Sequence, residues 1–272
     1  MIVIGEKINA TRKTVCKIIE ERNEMQLIDL AKKQAAFGAT YIDVNVGTGN
    51  GTQKDEIEAM QWAVSKLNQA VDKPLCIDSA DPVVLEAGLK SIKKHPAMIN
   101  STKADAKYLD SVLPLAKEFE AMVVALAMDD RGIPKTVQGR LDACRRIAKS
   151  CRKYELSMES IFFDPLVMPV STDAGQGKVT LDTLRAIKET FPDARTTMGL
   201  SNISFGLPAR ALINAAFLQM AIYAGLDAAI MDPMNVDMMQ AARTAFALMG
   251  KDRHFRKYSR AFRKYPKLLK AS

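Results

Sequence analysis

MVVALAM at residues 122–128 and IFFDPL at residues 161–166 are runs of strand length that stay apolar on both faces. A strand covered by helices on both sides has this character, whereas a half-exposed strand alternates. Working outward, six more short apolar runs complete a series, at residues 3–9, 40–46, 75–79, 97–101, 196–201 and 228–232. Helical segments separate them. Leu27, Leu30, Ala31, Gln34 and Ala35 share one stripe of a helix that stops at Gly38, a residue suited to a left-handed cap, and Gly225 closes a later helix over 211–224 in the same way. Thr180 and Asp182 offer side-chain oxygens to open a helix running to Thr190. Eight strands alternating with helices predict an α/β chain forming a single (β/α)8 TIM barrel, a fold of about 250 residues. An open doubly wound sheet would carry a Gly-rich loop after its first strand. GEKINATRK stands there instead, and GTGNG at residues 47–51 does not match GxGxxG.

The 272 residues are 48% hydrophobic and 26% charged, an ordinary globular balance. No apolar run reaches the ~18 residues of a membrane span and the start does not resemble a signal peptide, so a cytoplasmic protein without membrane contact is expected. Cys16, Cys76, Cys144 and Cys151 form no CxxC pair and are read as reduced and structural. His95 and His254 are the two histidines; His95 is read as structural, and neither completes a zinc site. The formal charge of +8 is concentrated: residues 251–270 hold nine Lys or Arg and one Asp, leaving 30 basic and 30 acidic groups in residues 1–250. The chain therefore divides into a neutral barrel, 1–250, and a basic tail, 251–272. A neutral body argues against nucleic-acid binding. Phe255, Tyr258, Phe262 and Tyr265 make an aromatic stripe at helical spacing. The stripe is read as a C-terminal helix packed on the barrel with solvated charges, the other readings being a dock for an acidic partner or a dimer contact.

Polar residues gather at the strand ends. Glu6 and Asn9 end the first run, Asp43 and Asn45 the second, Asp78 the third, Asn100 the fourth, Asp164 the sixth, Ser201 and Asn202 the seventh, and Asp232 the eighth. Barrel enzymes carry their chemistry on this face. An Asp following apolar residues in a strand is partly desolvated, which costs free energy unless something hydrogen-bonds to it. The Asp-Pro pairs at 81–82, 164–165 and 232–233 also suit turns. Carboxylates and carboxamides are poor phosphate ligands, but a carboxylate pairs well with an N–H beside an exocyclic amine on a planar heterocycle. A pterin has such an edge. A divalent metal is the alternative for an oxygen-rich ring, although no acidic pair stands at i, i+3 or i, i+4 spacing to converge on one. Lys7 is the one strand lysine that could serve a Schiff base.

Eight segments then become specific: IGEKIN (4–9), YIDVNVG (41–47), CIDS (76–79), MINST (98–102), FDPL (163–166), MGLSNISFGLPAR (198–210), INAAFLQMA (213–221) and GLDAAIMDP (225–233). In these the chain resembles the methyltetrahydrofolate–corrinoid methyltransferases and the folate-binding module of cobalamin-dependent methionine synthase, members of the pterin-binding barrels that include dihydropteroate synthase. The resemblance implies that Asp78, Asn100 and Asp164 bond the pterin edge, that Gly199 and Ser201 line the pocket, and that Asn202 is the catalytic group near N5. It makes Arg210 a contact for the folate, a helix-start arginine being the alternative, and leaves Glu6, Asp43 and Asp232 as rim or support. It implies methyl transfer, in either direction, between N5 of tetrahydrofolate and the cobalt of a corrinoid. No DxHxxG signature is present to hold cobalt, so the corrinoid is expected on a partner protein. A homodimer is also implied. A non-catalytic folate-binding protein is the reading of another class. Dihydropteroate synthase is disfavoured: the first loop lacks a TPDSFSDGG-like segment and the last strand ends MDPMN.

Overall fold

A computed structural model describes residues 1–93 and 96–263, and in it the eight apolar runs become β1 (Ile2–Asn9), β2 (Tyr41–Asn45), β3 (Leu75–Asp78), β4 (Met98–Ala104), β5 (Met122–Asp129), β6 (Ile161–Asp164), β7 (Arg195–Thr196) and β8 (Ala228–Met231). Every neighbouring pair is parallel, in the order β7-β6-β5-β4-β3-β2-β1-β8. The two ends of this sheet meet. Gly199 bridges Ile230, and the Ile230 N–H donates to the Met198 carbonyl at 3.0 Å. Asp227 strengthens the join, its Oδ2 accepting from Thr196 N–H (3.1 Å), Thr196 Oγ1 (3.2 Å) and Lys188 Nζ (3.0 Å). The sheet is thus a closed eight-stranded barrel, as the alternation predicts. β7 holds only two residues of its apolar run, although Thr197 N–H still donates to the Phe163 carbonyl and Gly199 still pairs with Ile230 before the 3-10 turn over Leu200–Ser204.

Two helices, α1 (Lys13–Glu20) and α2 (Glu24–Ala36), lie between β1 and β2, and each later crossover holds one: α3 (Gln53–Ala70), α4 (Pro82–Lys90), α5 (Ala106–Glu118), α6 (Val137–Lys153), α7 (Gln176–Thr190) and α8 (Arg210–Ala224). α9 (Val236–Leu248) and α10 (Arg256–Arg263) follow β8. Gly38 and Gly225 take φ of +106° and +113°, the left-handed caps expected of them. α7 starts earlier than the capping signal at Thr180 suggests. Thr180 lies wholly buried inside the helix, and its hydroxyl donates to the Leu166 carbonyl at 2.9 Å instead of capping.

Apolar packing forms two layers. Ile4, Tyr41, Cys76, Met98, Val124, Phe162 and Ala228 fill the barrel, while Ile42, Val44, Ile77, Ile99, Val123 and Phe163 face the helices. All four cysteines are free, and three are buried. Among the described residues no helix is long and apolar enough to cross a membrane. Of the aromatic stripe, Phe262 shares a hollow with Phe37, Val236 and Met239, and Tyr258 one with Met239 and Phe246, whereas Phe255, ahead of α10, is 41% exposed. The Asp252 carboxylate anchors this helix by accepting from the backbone N–H groups of Lys257 and Tyr258. His95 and Tyr265 lie outside the described residues.

Candidate active site

Successive side chains alternate across a strand, so the residue two beyond an inward one also points inward. From the buried interior this rule leads from Ile4 to Glu6, from Tyr41 to Asp43 and Asn45, from Cys76 to Asp78, from Met98 to Asn100, from Phe162 to Asp164 and from Ile230 to Asp232. The apolar interior therefore ends in a polar ring at the carboxyl ends of the strands. Strand register levels it: Asn45 stands beside Asp78 and Asp78 beside Asn100, with Asp43 one layer lower beside Cys76. Between Asn100 and Asp164 the ring is interrupted by Leu126 of β5, level with Asp164, which offers apolar surface for the face of a ring system.

Hydrogen bonds knit the ring on one side. Asn45 Nδ2 donates to Asp78 Oδ2 at 3.0 Å, and Asn100 Nδ2 donates to Asp43 Oδ1 at 3.3 Å. Asp43 is 2% exposed and lies beneath the surface of the site, where it also bonds Asp78. Its place is support, whereas Asp78 and Asn100 remain partly open. Asn45, visible in the sequence as a strand-end residue but given no role there, proves to orient Asp78. All three Asp-Pro pairs form turns: Oδ1 of Asp81, Asp164 and Asp232 accepts from the backbone N–H two residues on, at 2.8, 2.7 and 2.9 Å. Asp232 Oδ2 meets Lys7 Nζ at 2.9 Å, which ties this lysine into an ion pair; Lys103 of β4 is a second strand lysine, which the sequence did not single out. Glu6 is met by Arg12 at 3.3 Å and by the Ser201 hydroxyl.

Burial sets the protonation of this ring. It pushes Asp164 up to about 7, opposed by hydrogen bonds from the Leu166 and Gly199 N–H groups and by the charge of Arg140. Asp43 and Asp78 are both raised, burial being the main cause, and the charge of Asp78 raises Asp43 further. Two carboxyls this close resist carrying two charges. Burial also raises Glu6, against the pull of Arg12. The site is thus rich in acceptors without holding a full set of anions. Among the described residues no group of three His, Cys, Asp or Glu side chains is placed to hold a metal.

The GLSNISFGLP segment forms the remaining wall. Gly199 and Ser201 are half-buried, while Asn202 is exposed at the mouth. A Cβ on Gly199 would stand 3.5 Å from Asn202 Nδ2, an ordinary contact that places the carboxamide directly beside this position. Arg210 is turned back on its own loop: Nη2 donates to the Ser201 carbonyl at 2.7 Å and Nε to Ser204 Oγ at 3.0 Å. It braces the segment that carries Asn202.

A closed parallel barrel ringed by inward Asp and Asn at its strand ends defines a class, and the chain belongs to the pterin binding enzymes, whose family model matches residues 5–232. Within that class it is 41% identical over 97% of its length to methylcorrinoid:tetrahydrofolate methyltransferase of Eubacterium limosum, covering 96% of that protein. It is 31% identical to methionine synthase of Mycobacterium tuberculosis over 86% of this chain and 21% of that one. Among solved structures, dihydropteroate synthase of Stenotrophomonas maltophilia superimposes with a TM-score of 0.70 at 15% identity, over 91% of this chain and 92% of that one, a likeness of fold.

Proposed function

We infer that this enzyme moves a methyl group between N5 of tetrahydrofolate and the cobalt of a corrinoid carried by a partner protein. The observation that carries this reading is the levelled Asp78–Asn100 pair facing Asp164 across an apolar gap, in a chain 41% identical to a methylcorrinoid:tetrahydrofolate methyltransferase. We take the direction in that relative's name, from methylcorrinoid to tetrahydrofolate. Asp78, Asn100 and Asp164 hold the pterin edge: an ionised carboxylate accepts from the ring N–H and the exocyclic amine together, and the carboxamide can both donate and accept. Asn202 is assigned to N5. Its oxygen accepts the N5 hydrogen and points the nitrogen lone pair out of the mouth; once N5 gains a methyl it is cationic, and the same oxygen stabilises that charge until the proton leaves to water. The corrinoid supplies the methyl group and keeps the bonding electrons when it departs. A carboxamide does not titrate, so Asn202 acts by hydrogen bonding alone.

We further propose a cytoplasmic homodimer, supported by the apolar outer face of α8, where Leu212, Met220 and Tyr223 are 75%, 54% and 68% exposed. Residues 251–263 form an appendage steadying α9. Mixing the protein with tetrahydrofolate and methylcobalamin, and separately with methyltetrahydrofolate and cob(I)alamin, tests the function through the corrinoid spectrum. Transfer is expected in both mixtures. No methyl transfer in either, with a corrinoid carrier protein also supplied, would overturn the reading and favour a folate-binding protein.

A further inference from the structure

Arg140 of α6 is wholly buried, an unusual state for an arginine, and its fork is spent on one place. Nε donates to the Pro134 carbonyl at 2.9 Å, Nη1 to the carbonyls of Pro165 (2.9 Å) and Leu166 (2.8 Å) and to Thr180 Oγ1 (3.2 Å), and Nη2 to Gln176 Oε1 at 2.7 Å. Each acceptor is neutral. Among the described residues no carboxylate lies within ion-pair distance, and the charge that acts on the guanidinium is the Asp164 carboxyl. Two of the acceptors belong to the turn directly after Asp164. In that turn Leu166 takes φ of +66°, a conformation disfavoured for a branched side chain, and thereby turns its N–H to Asp164 Oδ1 while its carbonyl faces Arg140 and Thr180. The Leu166 residue is thus gripped at its carbonyl by α6 and α7 and gives its N–H to the site.

We propose that Arg140 is a positioning residue for Asp164, clamping the turn after β6 so that this carboxyl is presented in one orientation with a buried positive charge beside it. The proposal rests on the folate reading of the site for its functional consequence and on geometry alone for its structural one. Loss of the cation should make Asp164 hold its proton to higher pH, and loss of the clamp should free the carboxyl to rotate. These two effects separate in two variants, because lysine keeps the charge and cannot reproduce the fork.

The test titrates Asp164 by NMR in protein labelled with 13C at aspartate carboxyls, and measures methyltetrahydrofolate affinity by calorimetry from pH 5.5 to 8.5, in the parent, Arg140→Met and Arg140→Lys. In Arg140→Met the Asp164 midpoint should move upward, and affinity at pH 7 should fall about tenfold. In Arg140→Lys the midpoint should stay within a few tenths of a pH unit while affinity still falls severalfold. Should Arg140→Met not fold, Arg140→Lys decides: unchanged affinity with an Asp164 carboxyl signal that superimposes on the parent's overturns the proposal, as does a fully folded Arg140→Met with the parental midpoint. A parent that does not bind methyltetrahydrofolate defeats the folate reading, and the NMR titration still decides whether Arg140 positions Asp164.

Discussion

Replacing Asp164 with Asn should weaken the enzyme's hold on its ligand and strengthen its fold, and the second effect should depend on pH. The buried carboxyl titrates near 7, against an ordinary 3.8 in an unfolded chain. Its folded-state proton affinity is raised, so the stability associated with it is fully present below the unfolded value and is lost as pH rises through the folded one. At about 1.4 kcal/mol per tenfold change in proton affinity, the loss approaches about 4 kcal/mol well above pH 7. Asparagine is nearly isosteric, keeps an oxygen to accept the Leu166 N–H, and never charges. Asp164→Asn and parent should therefore be about equally stable only below about pH 3.8, with the variant ahead by about 1 kcal/mol at pH 4.5 and by an amount growing to that figure by pH 8.5. Urea unfolding followed by far-UV circular dichroism at half-unit pH steps measures the gap. A gap that is flat with pH, or a variant less stable at pH 8.5, would refute the claim that burial governs this carboxyl.

Asn202→Ala should lower methyl transfer about a hundredfold, the order found on removing a hydrogen bond made mainly in the transition state. Methyltetrahydrofolate affinity should change less than threefold, and steady-state kinetics beside calorimetry separate the two. At Gly88 on α4, an added Cβ would stand 2.6 Å from Ile77 Cγ2 and 3.0 Å from Met60 Cγ, all three in fully packed surroundings. Gly88→Ala should then destabilise the protein by roughly 1–3 kcal/mol despite alanine's better helix propensity, as read from the urea midpoint.

The fold was legible because a parallel barrel writes its strands as runs apolar on both faces and its helices as stripes between them; 122–128 and 161–166 are the clearest cases. The ring of inward polar groups was legible for a related reason, since Asp43, Asp78, Asn100 and Asp164 each follow an apolar residue at period two. Orientation was not. Arg210 stands in a motif that suggests a ligand contact, yet its guanidinium closes on Ser201 and Ser204, a choice made by the fold of the loop. Arg140 was half legible: helical spacing sets it on one stripe with Cys144, Ile147 and Cys151, away from Arg145, Arg146 and Arg152, so its inward turn was written in the sequence, whereas the carbonyls it meets there come from distant loops and were not. Asn45 was overlooked for the same reason, since its hold on Asp78 depends on register between strands, while Asp43 keeps the supporting place expected of it.

The join between β7 and β8 reaches beyond topology. β4 and β5 share a long ladder, whereas β7 is two residues long and meets β8 through the Gly199–Ile230 bridge and the Asp227 side chain. In the language of hydrogen exchange this seam is the least protected line along the barrel, and the Thr196 and Ile230 amides should report openings that those of Val123 and Val124 do not. The chain leaving that seam runs straight into Ser201 and Asn202. The residue assigned to N5 is therefore mounted where the cylinder can part, and Asp78 and Asn100 on strands joined by continuous ladders.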